Sequence, residues 1–195
     1  MESEKRLTTV AYGPEYENDL RWFCQMCAKL GYINNTDFTK MKLDWCLETG
    51  GQFYLTYINN KLNAISGCHP LPEVGPTTYR MLFRGVNLDG NALQIVSKTH
   101  MNSVAFLLHI PRQIEWAKQH GADQFVITTN WVNPEIKSME GSHRVMKLLE
   151  RQGLVDCLID KIELFYTTQT VWKINVKNYL EARTEFIKRH NIRDE

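Results

Sequence analysis

Residues 98–103, KTHMNS, are the first stretch whose side chains suggest chemistry. They run directly into an amphipathic segment that stops at Gly121. A helix start leaves about four backbone N–H groups unpaired and carries roughly half a positive charge. Such a start suits an anion, a phosphate above all. Ser103 is placed to cap the helix, Lys98 and His100 to add donors, and Asn102 to take a left-handed turn at modest cost. The same residues also read as an ordinary capped turn leading into a core helix. Cys24 and Cys27 form a second candidate, a Cys-x-x-Cys. One such pair binds no metal without partners, and no second pair stands at zinc-ribbon spacing. Two cysteines three apart on an apolar helical stripe read as core packing, whereas a redox pair belongs at a helix N-terminus after a strand. Zinc and redox readings are therefore set aside, and no metal is expected. The six histidines are spread along the chain and form no cluster.

Pro111 interrupts the segment that follows KTHMNS. One arrangement is a single helix from Ser103, kinked at the proline at a cost of about 3 kcal/mol. The other starts the helix at Pro111, where proline suits the first turn, and moves the anion site to about His109. The kinked helix is the expectation.

These residues need a scaffold, and the composition allows one. The chain has 195 residues, 43% hydrophobic and 23% charged, which fits one domain with a sizeable core. A net charge of +1 offers no general attraction to nucleic acid or membrane surfaces. The five tryptophans, Trp22, Trp45, Trp116, Trp131 and Trp172, do not interleave with basic residues, so no nucleic-acid platform is expected. No apolar run approaches the ~20 residues of a membrane span, and the charged start MESEKRLTTV has no signal-peptide core. Five cysteines argue against a disulfide framework and for a cytoplasmic setting.

The periodicity predicts the elements in order. Residues 6–12, RLTTVAY, are β-rich. Residues 17–30 carry apolar residues at helical spacing, with Gly31 as a stop. A second helix opens at Thr36 or Asp37 and ends at Gly50-Gly51. A hairpin follows, with arms 53–58 and 62–68 joined by Asn59-Asn60. PLPEVGPTT, 70–78, joins it to a long strand, 78–88, and ALQIVS, 92–97, reads as a short one. DQFVITTN, 123–130, reads as a strand buried on both faces. SHRVMKLLERQG is a helix capped by Ser142 and closed by Gly153. KIELFYTT and TVWKINV read as the last strands, and NYLEARTEFIKRH as a final helix. The expected class is α/β (α+β): a mixed, mostly antiparallel central sheet with helices on both faces.

This order resembles the GNAT superfamily of acyl-CoA N-acyltransferases. The block that carries the resemblance is YRMLFRGVNL, SVAFLLHIPRQIEWAKQHG, QFVITTN and HRVMKLLERQGLV, followed by a β-rich tail. It covers residues 6–176 and rests on topology, and it extends to uncharacterised GNAT-like proteins of tailed phages. The resemblance implies an acyltransferase domain over 1–175 and a helical extension over 176–195. It implies acetyl-CoA, or another acyl-CoA, as the cofactor. Its pantetheine would lie along Phe83, Arg84, Gly85 and Val86, with Gly85 marking a splay of that strand. Its phosphates would meet Lys98, Thr99, His100, Asn102 and Ser103. Asn130 and Gly153-Leu154 match the family's strand-end asparagine and its GF-like pair. The implied partner is a small-molecule or peptide amine, attacking the thioester directly.

Such a reaction needs a base for the amine and an acid for the thiolate. The candidates are His69, Glu73, His143 and Tyr166, with His100 beside them; Glu115, on the cofactor helix, faces solvent or the sheet edge. Each residue alone also reads as a structural or exposed group. The chain departs from the family in two places. THMNSVA stands where glycines usually let phosphates approach, and KLLERQGL lacks the usual tyrosine. These departures motivate the alternative, a catalytically inactive GNAT-fold protein for binding or assembly. Residues 135–141 lengthen a normally short loop. The last helix either joins two copies as a homodimer or covers its own sheet.

Overall fold

The computed structural model describes residues 7–29, 43–86, 105–132, 141–164 and 166–192. The expected stop at Gly31, the N-cap at Thr36 or Asp37, the strand at 92–97, the turn at 98–103 and the insert at 135–140 lie outside these residues. So do the side chains of Cys24, Cys27 and residues 82–86.

The elements are β1 (Leu7–Ala11), α1 (Glu17–Lys29), β2 (Gln52–Ile58), β3 (Lys61–Pro70), β4 (Thr78–Val86), a π-helical turn (Ala105–His109), α2 (Ile110–Gln119), β5 (Gln124–Asn130), α3 (Gly141–Arg151), β6 (Val155–Leu164), β7 (Thr167–Ile174) and α4 (Val176–His190). Residues 43–48 are also helical. The seven strands form one sheet in the order β1-β2-β3-β4-β5-β7-β6. Among the described strands only β4 and β5 pair in parallel; every other neighbouring pair is antiparallel.

Local chemistry explains the turns. Asn59 and Asn60 hold φ of 49° and 63°, the left-handed pair a two-residue hairpin requires, and asparagine tolerates it. The α3 helix ends in a Schellman motif: Gly153 N–H donates to Glu150 O and Leu154 N–H to Leu149 O. Gly153 supplies the φ of +68° that this motif needs, and Leu149 and Leu154 then meet in the core. Asn175 Oδ1 accepts from Asn178 N–H at the start of α4.

Side chains alternate across the sheet and divide it into two packed faces. Phe125, Ile127, Trp172 and Ile174 join α2, α3 and α4 on one face. Phe53, Leu55 and Ile65 pack against α1 and residues 43–46 on the other, where Val126 and Val171 also point. The last helix buries Tyr179 and Phe186 in the first of these clusters, so it covers the sheet of its own chain.

One expectation is corrected. The strand expected at 161–168 crosses a hairpin turn: β6 begins at Val155, and the chain reverses at Tyr166, whose φ is 62°. β6 is an edge strand whose Asp156, Leu158 and Asp160 face solvent, so its apolar residues form no continuous run. The helix expected to run through Pro111 does so without a break from Ala105 to Gln119: its first five residues are a π turn, and Pro111 lies in the first turn of α2. The fixed φ of proline suits that position, and its missing N–H leaves carbonyls of the preceding π turn to other donors.

Candidate functional site: a wedge between two parallel strands

β4 and β5 share four rungs, Thr78 to Met81 opposite Gln124 to Ile127. Beyond them β4 continues to Val86 paired with β3, and β5 continues to Asn130 paired with β7. No described strand fills the space between. Each facing edge therefore presents a row of backbone N–H and C=O groups, the kind of edge an extended ligand adds to as a further strand. A bulge sits where the strands part. Ser66 pairs with Arg84 and Gly67 with Leu82, which leaves Phe83 as the extra residue. Gly85, expected to mark the splay, lies in the parted half of β4 and pairs with Ile65 of β3. The glycine this level requires is on β3: a Cβ on Gly67 would come 2.9 Å from the Phe53 ring.

At the vertex, His69 and Arg80 are cross-strand partners. Arg80 Nε donates to His69 Nε2 at 2.7 Å, and both side chains are buried. Trp45 stacks edge-on against the imidazole with centroids 4.8 Å apart. Burial, and then the Arg80 charge, push the His69 pKa down to about 4. Burial lowers that of Arg80 to about 10, opposed by Glu73 in the β3–β4 turn.

The open half of β5 carries a second polar group on the opposite face. Trp172 Nε1 donates to Thr129 Oγ1 at 2.9 Å. Thr129 Oγ1 lies 3.5 Å from His143 Nδ1, and the His143 ring meets Trp172 edge-on at 5.2 Å. His143 is buried, in the first turn of α3. Asn130, at the end of β5, accepts from Gln169 Nε2 at 3.0 Å. The β6–β7 turn lies at this end of the sheet, since Trp131 N–H bonds Thr168 O.

No family model matches the chain, and no curated protein matches it by sequence. Solved structures do match. A putative acetyltransferase of the GNAT family from Desulfovibrio desulfuricans gives a TM-score of 0.57 at 13% identity, over 88% of this chain and 99% of that one. An acetyltransferase of the GNAT family from Staphylococcus aureus Mu50 gives 0.54 at 14% identity, over 88% and 99%. The aminoglycoside 6′-N-acetyltransferase from Enterococcus faecium gives 0.56 at 7% identity, over 85% and 94%. The chain has the GNAT fold.

Within that GNAT fold, the expected site residues fall in separate places. His69 and Glu73 flank Arg80 on one face of the vertex. His143 lies on the other face, against Thr129 and Trp172. Tyr166 is wholly exposed at the hairpin tip, and Glu115 is exposed on α2. Phe83, Arg84, Gly85 and Val86 line, through their backbone, the edge of β4 that no described strand pairs. Lys98, Thr99, His100, Asn102 and Ser103 lie outside the described residues.

Sequence reasoning passed over a buried polar chain beneath the wedge. Gln113 Nε2 donates to Ser66 Oγ at 2.8 Å, and Ser66 Oγ lies 2.7 Å from His109 Nδ1. His109 Nε2 lies 2.7 Å from Thr56 Oγ1, which meets Thr9 Oγ1 at 2.8 Å. A head-to-tail assignment puts the Ser66 proton toward His109 Nδ1 and the imidazole proton on Nε2. Burial, and then the Arg112 charge, push the His109 pKa down to about 3. His109 and Gln113 stand four apart, among the apolar residues of the buried stripe, and that spacing was the available signal.

A cavity of about 380 Å³ lies at the far end of β5, bounded by Lys118, Asp123, Gln124, Asp156, Lys173 and Asn175. Its charged residues are exposed and of both signs. The wedge is the stronger candidate, because among the described residues no strand pairs with its facing edges.

Proposed function

We propose that the protein transfers an acyl group, acetyl in the simplest case, from acyl-CoA to an amine. A C–N bond forms, the thioester C–S bond breaks, and the amine's proton ends on sulfur. The observation that carries this reading is the parting of β4 and β5 after four rungs. The pantetheine arm of CoA is extended and carries amides, so it fits the free edge of β4 at residues 82–86 as an added strand. Bound there, acyl-CoA supplies a thioester carbonyl open to an amine. A backbone N–H of that edge polarises the carbonyl.

The reading assigns the phosphates to Lys98, Thr99, His100, Asn102 and Ser103, in the segment between β4 and the π turn. Asn130 borders the arm from β5. His143, on the open half of the wedge with Thr129 beside its Nδ1, is assigned the proton that ends on sulfur. The face of His69, Arg80 and Glu73 is the acceptor side.

The test is a thermal-shift titration with acetyl-CoA, free CoA and 3′-dephospho-CoA. A saturable rise in melting temperature with acetyl-CoA is expected, because a ligand that binds only the native state stabilises it. An unchanged melting temperature at millimolar acetyl-CoA would overturn the reading.

A further inference from the structure

Pro111 withdraws a backbone donor at a point where two carbonyls need one. A π turn directs the carbonyl five residues back at a given N–H, and an α turn the carbonyl four residues back. For position 111 these are Phe106 and Leu107, and proline has no N–H for either. Both residues are buried, so water does not replace the missing donor. The C-terminal helix does. The Tyr179 hydroxyl donates to Phe106 O, and Arg183 Nε donates to Leu107 O at 2.6 Å. Tyr179 and Arg183 stand four apart, on one face of α4. Arg112 Nη1 serves the next carbonyl, Leu108 O, at 3.0 Å. Three successive carbonyls of the π turn are thus held by side chains.

We propose that Tyr179 and Arg183 are positioning residues that clamp the π turn and so fix where α2 begins. The turn ends at His109, which anchors the buried chain through Thr56 and Ser66. It also receives the chain directly from the segment carrying Lys98 to Ser103. Support of the cofactor by this clamp rests on the acyl-CoA reading above; the clamp itself does not.

The test is a double-variant cycle on the full chain. Arg183→Met removes the donor to Leu107 O, and Pro111→Ala restores a backbone N–H in its place. Arg183→Met is expected to lower the unfolding midpoint by roughly 4–8 °C. Pro111→Ala alone costs about 2 °C, through a freer unfolded chain. The double variant is expected to unfold at a higher temperature than Arg183→Met alone. A double variant that unfolds at a lower temperature than Arg183→Met would overturn the clamp. Lys177→Met, which removes an exposed charge from the same helix, controls for net charge.

The second readout is the apparent Kd for acetyl-CoA, measured at a temperature where every variant is folded. Arg183→Met should weaken binding about tenfold, and adding Pro111→Ala should recover most of it, a difference of about 1.4 kcal/mol. An unchanged Kd beside a rescued midpoint would reduce the clamp to a purely structural device. A wild-type chain that binds no acetyl-CoA would sink the acyl-CoA reading and this cofactor role together, while the midpoints would still decide the clamp.

Discussion

Arg80 Nε donates to His69 Nε2 at 2.7 Å, one rung before β4 parts from β5. The guanidinium occupies the lone pair that a second proton would need. His69 is therefore neutral, with its proton on Nδ1. The pair joins β3 to β4 at the vertex, and it sets a charge and an imidazole where the sheet begins to open.

Neutral buried histidines make stability depend on acid. The folded pKa values of His69 and His109, about 4 and about 3, lie below the unfolded value of about 6.5. Between these values the unfolded chain binds more protons, so acid favours unfolding. Their contribution is fully present above pH 6.5 and is lost as pH falls toward 4 and then 3. The loss is on the order of a few kcal/mol. Urea midpoints at pH 7.5 and 4.5 check this. His69→Gln, which keeps an acceptor for Arg80 and removes the titration, should flatten the slope. A wild-type midpoint equal at both pH values would contradict it.

Thr129 accepts the buried indole N–H of Trp172. Thr129→Val keeps the shape and removes the acceptor. It is expected to cost about 1–3 kcal/mol, with a melting temperature roughly 3–8 °C lower. Thr129→Ser, which keeps the oxygen, should lose less than half of that.

Ser66 sits between Gln113 and His109, and Ser66→Ala strands a buried donor on Gln113 and one ring nitrogen of His109. The expected loss is about 2–3 kcal/mol. Gln113→Met should cost under about 1 kcal/mol, because it also removes Gln113 Oε1, a buried oxygen with no partner among the described residues. Equal losses in chemical denaturation would show that the chain is not anchored at Ser66.

Tyr166 pairs a φ of 62° with a fully exposed side chain. Glycine adopts this conformation freely, and no packing is lost. Tyr166→Gly should therefore raise stability by roughly 0.5–1 kcal/mol. A lower urea midpoint would mean that the phenol is engaged after all.

Local features were legible in the sequence because local rules govern them. The Asn59-Asn60 hairpin and the Gly153 stop each follow from backbone preferences of single residues. The GNAT-like element order was legible for the same reason, since it needs only periodicity and punctuation. The wedge was not, because it is a fact of register between β4 and β5, and both strands read as uniform runs. Tyr166 read as a strand residue because the apolar Leu164 and Phe165 precede it without a turn signal. Pro111 announced a kink in the helix, but the side-chain donors at the π turn come from Tyr179 and Arg183, 73 and 76 residues from the carbonyls they serve. The chain from Thr9 to Gln113 likewise assembles side chains of three strands and a helix start, and no window of sequence contains it.

Acyl-CoA added along the edge of β4 would protect that edge, so the most direct measurement is amide hydrogen exchange with and without saturating acetyl-CoA. Slower exchange is expected, confined to residues 82–86 of β4, 128–130 of β5 and the segment that leads into the π turn. Protection that appears only around Lys118 and Lys173, or none at residues 82–86, would contradict it.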